Sequence, residues 1–235
     1  MRFLREKIRK IKYTLKFLKK AKDTKNNYFV NSNTNNQLTE LMNHYGSDKG
    51  GKNLHHNYAD YYSQLFFHKK NRIKNFLEIG LGTNDISVLS NMGKDGVPLA
   101  SLRAWRDYFT NAQICGADID RKILKNEDRI KTYYVDQTDP KSIKEMFLNL
   151  EIKKFDIILE DGLHEYNANI CCFENSIEFL ENDGVYIIED VFYKDQKKFL
   201  NYFEKTNYNF SIVDLYHPKN IANNCVIVIK KNENI

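Results

Sequence analysis

Two strand-like apolar runs of this chain end in adjacent acids. FDIILED (155–161) closes on Glu160 and Asp161, with His164 three residues beyond, and GVYIIED (184–190) closes on Glu189 and Asp190. Carboxylates brought together where strands surface repel each other unless a proton or a cation sits between them, and oxygen-rich sets suit Mg2+ or a similar hard ion. Strand alternation turns the members of each acidic pair to opposite faces, so at most one of each faces such an ion. A histidine on the loop just past one of these acids is a candidate general base; taken alone, it serves equally well as a surface residue or a cap.

Other strand ends carry groups of the same kind. FLEIGLGTN places Glu78, Gly80 and Gly82 at the end of an earlier run, where glycines let the backbone turn sharply and approach a ligand. The dinucleotide pattern G-x-G-x-x-G fails there, because Asp85 stands at its third glycine, which counts against NAD. AQICGADID ends in Asp118, with Asp120 beyond it, and an acid at this place can accept both hydroxyls of a ribose. YYVDQTD ends in Asp136 and Gln137, a pair suited to the edge of an adenine. Each of these, taken singly, also fits a helix cap or a turn. Successive strands all ending this way point to a shared site.

The elements that must position these residues alternate. Five apolar strand candidates (NFLEIG, AQICGADI, KTYYVD, FDIILED, GVYIIED) are followed by SIVDL and CVIVIK. Between them lie helical patterns at Leu102, Trp105 and Phe109, at Ile143, Phe147 and Leu150, and at Ile170, Phe173, Ile177 and Leu180. Such alternation predicts an α/β fold, a doubly wound Rossmann-like sheet covered on both faces, with ligands at the carboxyl edge. The segment joining the last two strands is too short for a helical crossover, so they form an antiparallel hairpin. In the doubly wound order the fourth and fifth strands lie side by side next to the first, and Asp161 and Asp190 leave the sheet as neighbours. Upstream, QLTELMNHY reads as a short helix stopped at Gly46, and NYADYYSQLF as another, so 38–70 forms a helical cap on a 38–235 domain.

Residues 1–37 differ. Leu4, Ile8, Ile11, Leu15 and Leu18 fall on one helical stripe amid ten Lys/Arg and one Glu in residues 1–22, whereas residues 23–37 are polar and Asn-rich and read as a linker. The stripe needs a partner surface: the protein's own body, a second subunit in a homo-oligomer, or, in a sharper reading, an anionic membrane face. The formal charge of +5 is confined to this end and the remainder is near −4, which argues against a nucleic-acid substrate. Cys115, Cys171, Cys172 and Cys225 lack metal or redox spacing and read as reduced core thiols. No apolar run is long enough to span a bilayer and no signal-peptide core is present, so the expected location is cytoplasmic, with a peripheral position at the inner membrane face as the sharper alternative.

The order LEIG-x-G, G-x-DID, D-Q-T-D, FDI-x-x-x-DG-x-H and GVY-x-IED, together with HYGSDKG, SLRAWRDYF and DGLH, resembles the class I S-adenosylmethionine-dependent methyltransferases, and more narrowly the macrocin and mycinamicin sugar O-methyltransferases, over roughly Leu41 to Val191. The resemblance implies S-adenosylmethionine held by Glu78, Gly80 and Gly82, with Asp118 on its ribose and Asp136 and Gln137 on its adenine. It also implies that Lys49 and Tyr58, with Ser47 and Asp48, lie near the cofactor or form a lid. Ser101, read as an N-cap, would bring a helix N-terminus to the methionine carboxylate. It further implies Asp161 and Asp190 as ligands of Mg2+ or another divalent ion, with no third protein ligand evident, and His164, in D-x-x-H, as the base. His55 and His56 read as solvated.

The expected activity is metal-assisted transfer of a methyl group to a sugar hydroxyl, the sugar nucleotide-linked or part of a capsular or surface-polysaccharide precursor. A catechol-like or natural-product hydroxyl is the alternative within the family. Outside it stand a nicotinamide-dependent oxidoreductase and a non-catalytic protein anchored by its basic helix.

Overall fold

The computed structural model describes residues 35–51, 56–215, 217, 220 and 222–232, together with Ile8, Ile11 and Leu15. The linker reading for 23–37, apart from residues 35–37, and most of the basic stripe lie outside the described residues, as does His55; Asn36 and Gln37 are the N-cap and first residue of a helix rather than linker. The three described stripe residues are helical and 45%, 54% and 62% exposed, so these apolar side chains are not buried against the body.

The elements are α1 (Gln37–Tyr45), α2 (Tyr58–Leu65), β1 (Asn75–Ile79), α3 (Ala100–Tyr108), β2 (Gln113–Asp118), β3 (Ile130–Tyr134), α4 (Pro140–Asn149), β4 (Phe155–Glu160), α5 (Tyr166–Ser176), β5 (Leu180–Ile188), α6 (Gln196–Phe203), β6 (Tyr208–Asp214) and β7 (Cys225–Lys231). The strands form one sheet in the order β3-β2-β1-β4-β5-β7-β6. The first five are parallel; β7 pairs antiparallel with both β5 and β6. This is the doubly wound arrangement with a terminal hairpin that the alternation predicts, and β4 lies between β1 and β5.

Alternation along the strands sorts the core into two layers. Phe76, Ile114, Ile157, Leu159, Val185 and Ile187 pack with Leu38 and Met42 of α1, Tyr62 of α2, and Leu102 and Trp105 of α3. Leu77, Cys115, Ile158, Tyr186 and Ile188 pack with Phe147 of α4, Phe173 of α5 and Phe199 of α6. Each such side chain, removed fully from water, contributes about 1.5–3 kcal/mol. Two details differ from the pattern-based reading. Leu180 opens β5 rather than closing a helix, and α6, whose buried Phe199 and Phe203 lie four residues apart, adds a helix between β5 and β6 that the helical patterns did not include.

None of the four cysteines is in a disulfide bond, and three of them are buried. Among the described residues no helix is long and apolar enough to cross a membrane.

Candidate active site

The carboxyl ends of β1, β2, β3, β4 and β5 open into one cavity of 1320 Å³. Its floor begins at the turn after β1. Gly80 and Gly82 have φ of 95° and 74°, conformations costly for any residue with a Cβ. A Cβ on Gly80 would lie 2.0 Å from the Asp161 carbonyl oxygen, so this glycine is what lets the β1 and β4 loops pass each other. The following loop, residues 83–98, folds over the cavity and lines it with Val88, Leu89, Met92 and Val97; a Cβ on Gly82 would collide with Met92.

Helix α3 starts at Ala100 after Leu99, which takes a left-handed φ of 65° and offers no side-chain cap. Ser101 is therefore not the N-cap expected from sequence but sits in the first turn, nearly buried, and it lines the cavity. The uncapped amides of this turn suit an anionic group.

Asp118 accepts the Leu81 amide at 2.6 Å and the Asp120 amide at 2.8 Å, while Asp120 accepts the Thr83 hydroxyl at 2.5 Å. Both line the cavity, and Asp118 ties β2 to the glycine turn. Asp136 lines it too, with Oδ1 accepting the Thr138 amide and hydroxyl. Gln137 is engaged at both ends of its amide: Nε2 donates to Glu160 at 2.9 Å and Oε1 accepts the Leu163 amide at 2.8 Å. It faces the cavity while holding the β4 loop. A Cβ on Gly162 would sit 1.5 Å from Gln137 Oε1, so a side chain there would push the Gln137 amide off its two partners.

Asp161, His164 and Asp190 form a compact group whose ligand atoms lie within 4.8 Å of one another. His164 Nε2 is 3.1 Å from Asp161 Oδ1, and its Nδ1 is 3.5 Å from Asp190 Oδ2. Both His164 and Asp190 hold left-handed backbone, with φ of 60° and 54°, a strain that concentrates at functional positions. Burial favours the neutral ring, but the charge of Asp190 and the bond and charge of Asp161 outweigh it and push the His164 pKa up to about 10. In this state the imidazolium bridges the two carboxylates. Asp161 and Asp190 offer oxygen donors that suit a divalent ion, and His164 lies between them.

Asp190 is braced from behind. Tyr58 Oη donates to its Oδ1 at 2.6 Å, and His56 Nε2 lies 3.2 Å from the same oxygen, leaving Oδ2 turned toward His164. The His56 and Tyr58 rings stack at 4.6 Å. Tyr58, expected at the cofactor, is buried and does not line the cavity; His56, read as solvated, is 5% exposed and does.

Glu189 faces the α1–α3 layer and accepts from Tyr62 Oη at 2.6 Å, whereas Glu160 turns to the other face and accepts from Gln137 and Asn169. Lys49, on a turn capped by Ser47, reaches under the cavity to Asp161 Oδ2 at 2.5 Å, to Glu189, and to within 3.6 Å of Glu78 Oε1. Burial opposes its charge, and Asp161, Glu189 and Glu78 together more than offset this, raising its pKa well above the usual lysine value. Glu78 is fully buried and does not line the cavity; burial pushes its pKa up to about 7, with the charge of Lys49 offsetting only part of the cost.

The sequence reading missed the brace and the ionic hub. Tyr58 and Tyr62 at i and i+4 share one face of α2, which is a local signal; for His56 the contacts to Asp190 and Asn224 reach more than a hundred residues along the chain and leave none.

No protein-family model matches the chain. It is 32% identical over 154 residues to the 8-demethyl-8-alpha-L-rhamnosyl tetracenomycin-C 2'-O-methyltransferase of Streptomyces olivaceus, covering 66% of this chain and 37% of that protein. It is 31% identical to the demethylmacrocin O-methyltransferase of Streptomyces fradiae, covering 66% of this chain and 36% of that protein. The matched region thus spans little more than a third of these relatives' length. Among solved structures, MycE methyltransferase from the mycinamycin biosynthetic pathway, in complex with Mg and SAH, matches with a TM-score of 0.55 and 28% identity over 67% of this chain and 37% of that one.

Proposed function

As the chain belongs with the class I S-adenosylmethionine-dependent methyltransferases and resembles their macrocin and mycinamicin sugar O-methyltransferases, we propose that it moves a methyl group from S-adenosylmethionine to a sugar hydroxyl with help from a divalent cation. The observation that carries this reading is the group Asp161, His164 and Asp190 at the carboxyl edge, beside the glycine turn.

The cofactor site fits the residues present. Gly80 and Gly82 bring backbone close to the ligand, the uncapped first turn of α3 receives a carboxylate, and Asp118 and Asp136 line the cavity where ribose and adenine are expected. Asp161 and Asp190 would hold the cation, with the His164 ring nitrogens 3.1 Å and 3.5 Å from their oxygens. When bound, a divalent ion lowers the pKa of a coordinated hydroxyl and fixes its orientation. His164 keeps its proton while the two carboxylates face it without a counter-charge; with a cation neutralising them the ring would release that proton to solvent, and the neutral imidazole could then accept the hydroxyl proton as attack proceeds. Tyr58 and His56 hold Asp190 so that Oδ2 points inward.

The walls favour a sugar carried as a glycoside, the natural-product alternative of the sequence reading, over a nucleotide-linked one. Among the described residues eight aspartates but only two lysines line the cavity. Lys49 is taken up by buried carboxylates, and Lys122 pairs with Asp85 at 2.9 Å. Among the described residues, a nucleoside diphosphate would meet no lysine or arginine there that is free of a carboxylate partner. The rim instead offers apolar surface: Ile86 and Leu89 are 66% and 73% exposed, and Leu89 lines the cavity.

The test is incubation with S-adenosylmethionine and Mg2+ against panels of neutral glycosides, nucleotide sugars and catechols, followed by mass spectrometry. Methylated glycosides are expected. Exclusive turnover of nucleotide sugars or catechols overturns the acceptor assignment, and binding of NADH in place of S-adenosylhomocysteine overturns the reaction class.

A further inference from the structure

The proposed mechanism makes no use of the Lys49 ammonium, although the chain surrounds it with carboxylates from three strand ends: Glu78 of β1, Asp161 after β4 and Glu189 after β5. Lys49 is 3% exposed, and Glu78 and Glu189 are fully buried. Neither oxygen of Glu78 accepts a hydrogen bond, and Oε1 lies 3.6 Å from the Lys49 nitrogen. Glu189 gives Oε1 to Tyr62 and Oε2 to Lys49. Asp161 divides its oxygens, Oδ2 toward Lys49 and Oδ1 toward His164. It therefore bridges two neighbouring positions, one among Asp161, His164 and Asp190, the other among Glu78, Asp161 and Glu189.

A shared carboxylate between two oxygen-rich positions is the arrangement by which two-metal sites hold ions about 3.5–4 Å apart. Here the second position is filled from within. Carboxylates taken out of water are tolerated only with a compensating cation, and an ammonium offers three donors to the oxygens around it.

We propose that Lys49 is the built-in second cation of this site: its ammonium occupies the position formed by Glu78, Asp161 and Glu189, which would otherwise take a divalent ion, and so limits the chain to a single divalent ion at Asp161 and Asp190. Lys49 is thereby a positioning residue that holds the shared Asp161 for the cation on its other side. The inference rests on the metal reading given above.

The experiment is titration of Mn2+ into the full chain, followed by calorimetry and by the paramagnetic resonance signal of unbound Mn2+. Wild type is expected to bind one equivalent, Lys49→Ala two, and Lys49→Arg one. Lys49→Gln, which keeps most of the side-chain volume, is expected to bind two and serves if the alanine variant does not fold; a variant that folds only with two equivalents present counts as binding two. One equivalent in the neutral variants, or two in wild type or Lys49→Arg, overturns the inference. No binding by wild type overturns the metal reading itself.

Discussion

Replacing Glu78 by Gln removes a buried acid from beneath the site and gives a pH-dependent result. Burial raises the Glu78 pKa from 4.5 to about 7 in the folded chain, with Lys49 opposing part of the shift. Below 4.5 both folded and unfolded states carry the proton, and the group has no effect on stability. As pH rises through 4.5 the unfolded chain ionises while the folded one keeps its proton until about 7, so stability falls across this window and levels off above it. Each pKa unit corresponds to about 1.36 kcal/mol, which puts the full penalty near 3 kcal/mol and the part accumulated between pH 5 and pH 8 at about 2.5 kcal/mol. The glutamine amide does not titrate, and its own cost in this unsatisfied position, about 1–3 kcal/mol, is a constant offset. Urea denaturation of cation-free wild type and Glu78→Gln at the two pH values is the assay. The variant should gain about 2.5 kcal/mol relative to wild type on going from pH 5 to pH 8. A difference between the two proteins that stays constant with pH would show that Glu78 is ionised throughout, and the argument from its burial would fail.

His164→Ala should lower kcat by roughly 10²- to 10⁴-fold while leaving S-adenosylhomocysteine affinity nearly unchanged in a calorimetric titration; undiminished turnover removes His164 from proton transfer. Tyr58→Phe takes away the 2.6 Å bond that orients Asp190 and should weaken divalent-ion binding roughly 10- to 100-fold, read by Mn2+ titration, again without loss of S-adenosylhomocysteine binding. Gly162→Ala forces a Cβ to 1.5 Å from Gln137 Oε1 and should destabilise the chain by about 2–4 kcal/mol in denaturant unfolding. Adding Gln137→Ala should restore part of that loss; no recovery would place the strain elsewhere.

Patterning along the chain carried the sheet well because each strand and helix has a local period. The acids after β4 and β5 were legible for the same reason, since strand order alone makes Asp161 and Asp190 neighbours. What local pattern does not carry is which partner claims a polar side chain once the loops close. Gln137 looks like a ligand contact by position, yet Glu160 and the Leu163 amide take both ends of its amide. Ser101 fits the N-cap rules by residue type, but left-handed Leu99 is the N-cap and moves the helix start two residues earlier. Tyr58 and His56 reach Asp190 across more than 130 residues, and Lys49 gathers acids from three separate strands. Such contacts belong to tertiary geometry and leave no periodic trace, apart from the four-residue spacing of Tyr58 and Tyr62.

A crystal of the chain grown with S-adenosylhomocysteine and Mn2+, measured at the manganese absorption edge, addresses the metal site most directly. An anomalous peak at coordination distance, roughly 2.0–2.6 Å, from one oxygen each of Asp161 and Asp190 is the expected result, with the cofactor lying along Gly80 and Gly82. An ion bound elsewhere, or no peak in crystals that hold the cofactor, would contradict it.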